Sequence, residues 1–106
     1  MSFYKKQIKK VLESEDWLKV LSKLMKEKGL SEKELKLFTA LCVVAYEYGE
    51  GDALAGMMLI GTVRNKEWIP LLEKVLGRRP ITHAELFAML NSAGYLRTIH
   101  KILKSS

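Results

Sequence analysis

In its 106 residues this chain has one cysteine, no strand-like alternation, no internal repeat and no apolar run long enough for a membrane span. Each shortage excludes something. A lone thiol, Cys42, rules out an internal disulfide, and its setting, "FTALCVVAY", is that of a core residue. The most apolar stretch, 53–63, falls far short of the roughly eighteen residues a membrane span needs. The start, "MSFYKKQIKK", has lysines but no apolar stretch of the kind a secretory signal carries. Together these features predict one cytoplasmic domain, 1–106, with no membrane partner.

Catalytic and cofactor patterns are equally scarce. His83 and His100 stand apart and form no metal-ligand spacing with Cys42. "GEGDALAG" has neither the spacing nor the lysine of a phosphate loop. The reading is therefore of a protein without cofactor, metal or catalysis.

What is present is helical spacing almost throughout. Tyr4, Ile8, Val11 and Leu12 share one face of a first helix, with Lys5, Lys6, Lys9 and Lys10 opposite. Ser14 is placed to cap a second, in which Trp17, Leu18, Leu21, Leu24 and Met25 form the expected inner stripe and which Gly29 ends. Ser31 and Glu34 have capping-box spacing and open a third, apolar nearly all round from 35 to 45 and so expected at the centre. Asp52 begins a fourth over 53–63, and Pro70 and Gly77 bracket a fifth. Thr82 and Glu85 repeat the box ahead of a sixth, which buries Leu86, Phe87, Met89 and Leu90. "NSAG" stops it, and a seventh runs from Tyr95 to about Lys104. The expected fold is all-α, a compact single-domain bundle of six to seven short helices.

The net charge of +6 is uneven. Residues 1–28 hold eight lysines against four acids, and residues 77–106 hold Arg78, Arg79, Arg97, Lys101 and Lys104 against Glu85 alone. Two basic ends around a mildly acidic middle suit a polyanion or an acidic protein surface. On the last helix a step of 100° per residue gathers Tyr95, Ile99, Ile102 and Leu103 between about 240° and 340° from Leu96. Arg97, Lys101 and Lys104 gather between about 80° and 140°, with Thr98 and His100 at the margins. One face suits packing and the other suits phosphates and base edges.

The stretch "ITHAELFAMLNSAGYLRTIHKIL" thereby resembles helix-turn-helix DNA-binding domains, particularly winged-helix ones. Thr82, Glu85 and Leu86 match the start of their scaffold helix. Thr98, Ile99, Lys101, Ile102 and Leu103 match their recognition helix, although the spacer from Leu90 to Thr98 is longer than the usual tight turn. The resemblance implies a helix-turn-helix-like C-terminal pair and a groove-facing role for Arg97, Thr98, His100 and Lys101. With Lys104, Arg78, Arg79 and the N-terminal Lys5 and Lys9 adding phosphate contacts, the predicted ligand is nucleic acid, duplex DNA in particular. The alternatives are a plain pair of bundle helices in a helical adaptor or inhibitor that docks on an acidic protein surface; self-association into a homodimer is also open. A remote alternative starts from Glu47, Glu50, Gly56, Val63 and Asn65, which loosely resemble a region of spore-cortex and cell-wall hydrolases, with the spacing of Glu47 and Gly56 out of register.

Overall fold

The computed structural model describes residues 2–48, 65–79 and 83–105. Six α-helices and no strand occur among them: α1 Ser2–Leu12, α2 Glu15–Lys28, α3 Glu32–Tyr48, α4 Asn65–Leu76, α5 His83–Ser92 and α6 Tyr95–Lys104. The helix expected over 53–63, its cap Asp52, and Glu50, Gly56 and Thr82 lie outside the described residues, as do the side chains of Tyr4 and His83. None of the described helices is long and apolar enough to cross a membrane.

Local sequence sets some of the helix ends. The Ser31–Glu34 box closes in both directions: Ser31 N–H donates to Glu34 Oε1 at 2.9 Å and Glu34 N–H to Ser31 Oγ at 3.2 Å. Gly29 ends α2 with φ 67°, its N–H donating to the Met25 carbonyl at 3.1 Å. That left-handed conformation is open to glycine at little cost. Ser14 stands at the N-cap of α2, but its hydroxyl makes no capping bond. Glu15 and Asp16 in the first turn are left to oppose the helix dipole. Pro70 does not start its helix: α4 reaches back to Asn65, so the proline sits beyond the first turn. Its ring is exposed and displaces no core side chain.

The core forms around α3. Leu35, Phe38, Leu41, Cys42, Val43 and Ala45 are buried there with Val11 of α1, Leu71, Leu72 and Val75 of α4, and Leu86 and Leu90 of α5. Each buried valine, leucine or phenylalanine among them contributes about 1.5–3 kcal/mol. The inner stripe of α2 is narrower than its apolar spacing predicts. Trp17, Leu21 and Leu24 are buried, while Leu18 is 48% and Met25 52% exposed. With Trp17 at 0°, Leu21 and Leu24 lie within about 40° of it and Leu18 and Met25 about 80–100° away, past the edge of the contact. In α5, Phe87 and Met89 are half-buried rather than core.

The last helix is a second centre. α6 packs against α1, α2, α3 and α5, sinking Leu96, Ile99 and Ile102 into the common core. It follows α5 across two residues, Ala93 and Gly94. Gly94, with φ 87°, makes this tight reversal.

Candidate nucleic-acid interface

The exposed side of α6 is a single stripe. Arg97, His100, Lys101 and Lys104 face solvent, whereas Tyr95, Thr98 and Leu103 are half-buried along its borders. Spacings of three and four residues put the four on one line about 100° wide. None of Arg97, Lys101 and Lys104 is ion-paired with a described residue. From Arg97 to Lys104 the stripe runs about 10 Å at 1.5 Å per residue.

Its residues do different things. Thr98 is turned inward: its hydroxyl donates to the Gly94 carbonyl at 3.0 Å, a bond internal to the first turn. His100 is held by α3, with 2.8 Å between its Nδ1 and the Tyr46 hydroxyl and 5.7 Å between the ring centroids. Whichever of the two carries the shared proton, Nε2 of the imidazole remains available. Arg97 and His100 edge a small open recess of about 350 Å3, which Tyr46, Phe87, Asn91 and Leu96 complete. Lys101 edges a different depression, shared with Lys10 and with the acids Glu13 and Asp16 at the α1–α2 junction.

The basic ends of the sequence therefore meet, but through other residues than expected. Lys10 of α1 is half-buried beside Lys101. Lys6 lies about 40° from Lys10 around the helix, whereas Lys9 and Lys5 lie about 100° and 140° away. Lys5 and Lys9 are exposed, but turned aside from α6. At the other end Arg78 forms an ion pair with Glu85 at 3.0 Å. It shares a depression with Ala88, Met89 and Ser92, while Phe87 and Asn91 of the same helix edge the recess of Arg97. The two arginines thus flank α5 on different sides. Arg79 is exposed beside Arg78. Arg97, His100, Lys101 and Lys104 are brought together, Thr98 sits at their buried border, and Lys5, Lys9, Arg78 and Arg79 stand off this line.

Charge arithmetic did not single out Lys10, and nothing in the sequence marked Tyr46 or Asn91. Tyr46 meets His100 across 54 residues, and no local spacing encodes that. Asn91 read only as part of a helix stop.

Other reactive groups offer less. Cys42 is fully buried and burial pushes its thiol well above 9.0, which leaves it in the unreactive protonated form. Glu47 accepts a 3.3 Å hydrogen bond from Gln7. No group of three or more metal-ligating side chains occurs among the described residues. Comparisons with protein families, with curated proteins and with solved structures give no match to this chain.

Proposed function

We propose that this protein is a non-catalytic module that binds nucleic acid through α6. One observation carries the reading: three cations, Arg97, Lys101 and Lys104, stand exposed and without ion-pair partners among the described residues, along one line of a helix anchored in the core. Their span of about 10 Å equals the axial length of about three phosphates on one duplex strand. Contacts of this kind neutralise phosphate and carry little sequence preference. The helix-turn-helix likeness adds base-edge contacts from Arg97 to the reading.

Titration against duplex DNA over a salt series tests it. Three phosphate contacts give a log-affinity against log-salt slope of about −2.7. Replacing Arg97, Lys101 and Lys104 together by glutamine should abolish measurable binding and leave melting unchanged. Absence of wild-type binding to duplex and to single-stranded DNA alike at about 50 mM salt, where such contacts are strong, overturns the reading. The competing reading is an adaptor that sets the same cations on an acidic protein surface. It draws on the exposed Leu18 and Met25, seven residues apart on one side of α2, which offer apolar surface of the kind protein partners use.

A further inference from the structure

We infer that the recess where α3, α5 and α6 meet holds one unpaired nucleobase, so that the ligand of the α6 stripe is a single strand in preference to a duplex. The inference rests on the nucleic-acid reading and narrows its ligand.

The walls have the chemistry an unstacked base uses. The half-buried rings of Tyr46 and Phe87 and the imidazole of His100 offer flat apolar and aromatic surface. Every base has a π-face, so such surfaces bind bases with little regard to identity. The polar groups at the rim suit base edges. Asn91 is exposed, and its side-chain amide offers a donor and an acceptor together. Nε2 of His100 adds one further function, fixed in direction by the Tyr46 hydroxyl on Nδ1. The volume of about 350 Å3 is at the small end of ligand pockets and open on one side, which suits a flat ring on a continuing chain.

Placement ties the recess to the stripe. Arg97 belongs to both: it edges the recess, and Lys101 and Lys104 continue from it along α6. A strand whose base enters beside Arg97 therefore has cations for the phosphates that follow. A base inside a duplex is covered on both faces by its neighbours and enters only if it is flipped out of the stack, at a cost of a few kcal/mol that an unpaired strand does not pay. The ligand is thus a strand with unstacked bases, the form in which aromatic side chains and base edges meet.

The test compares three probes by fluorescence anisotropy at one low salt concentration: an oligothymidylate of about ten nucleotides, an abasic strand of the same length, and a duplex of the same length. The wild type should bind oligothymidylate about 5- to 150-fold tighter than the abasic strand, the scale of one stacked base. Phe87→Leu, which keeps apolar bulk and removes the ring, should erase that difference and leave abasic and duplex binding within about twofold. Asn91→Ala, at an exposed position, should reduce the same difference. Lys104→Gln should weaken all three probes alike. Equal affinity for abasic and base-bearing strands overturns the inference and leaves the proposed function standing; no binding to any probe overturns both. Binding of a glutamate–tyrosine copolymer that Phe87→Leu removes, with none of oligothymidylate, overturns both by assigning the recess to an acidic protein.

Discussion

Trp17 Nε1 donates a 2.9 Å hydrogen bond to Thr39 Oγ1, and the same hydroxyl donates onward to the Leu35 carbonyl at 2.8 Å. Both side chains are fully buried. The indole also lies 6.5 Å from Phe38, near-parallel, and 6.4 Å from Tyr95, edge-on, so α2, α3 and α6 meet at one aromatic cluster. Thr39→Val keeps the shape and removes the acceptor. The Trp17 N–H is then buried without a partner, and the chain should lose about 1–3 kcal/mol in denaturant unfolding. Thr39→Ser keeps the hydroxyl and should lose about 1 kcal/mol or less. A Thr39→Val variant as stable as wild type would mean that the hydroxyl bond contributes nothing.

Glu34 makes stability depend on pH. The Ser31 N–H at its carboxylate, aided by Lys74 of α4 at 3.3 Å and opposed by partial burial, holds the carboxyl below its ordinary 4.5. A carboxyl whose folded pKa is depressed stabilises the fold fully above the unfolded value and ceases to as pH falls through the folded one. Glu34→Gln should therefore be less stable than wild type at neutral pH, by about 0.5 kcal/mol for so exposed a pair. That gap should close below pH 4.5. Melting curves across this range check it; a gap independent of pH refutes the role of the charge.

Gly94 holds φ 87° with open space where a Cβ would project. Gly94→Ala should cost about 1–2 kcal/mol from backbone strain alone. Gly94→Asn should cost less, since asparagine tolerates the left-handed region. Thermal unfolding of the two variants separates conformational strain from a packing clash, which would rank them by size instead.

The standing of each cation predicts its share in binding. Lys101→Ala should flatten the salt slope on duplex DNA by about 0.9, the loss of one phosphate contact. Lys5→Ala, turned aside on α1, and Arg78→Ala, bound to Glu85, should leave the slope within error. Arg78→Ala should instead lower stability by up to about 1 kcal/mol. A slope that falls equally for all three would mean binding by net charge, with no localised stripe.

What the sequence disclosed follows the range of the forces involved. The box at Ser31 and Glu34 and the stop at Gly29 are made by neighbours in the chain and were legible there. The two faces of α6 were legible as well, because its buried Leu96, Ile99 and Ile102 and exposed Arg97, Lys101 and Lys104 alternate with the helical period. Leu18 and Met25 were misread, since periodicity shows where an apolar stripe lies and not how wide its partner is. Charge counting makes Arg78 a free cation, whereas the fold pairs it with Glu85. The recess was invisible, because Tyr46, Asn91 and Arg97 come from three helices and meet only after folding.

The four helices under α6 fix its backbone before any ligand arrives. Docking would then restrict little more than the side-chain tips of Arg97, Lys101 and Lys104, at about 0.5–1.5 kcal/mol of lost freedom each, since Tyr46 already holds His100. Under the proposed function the stripe would act as a rigid ruler: a ligand whose charges match its intervals would bind without remodelling the protein, and one whose charges do not match could not recruit the helix to adjust.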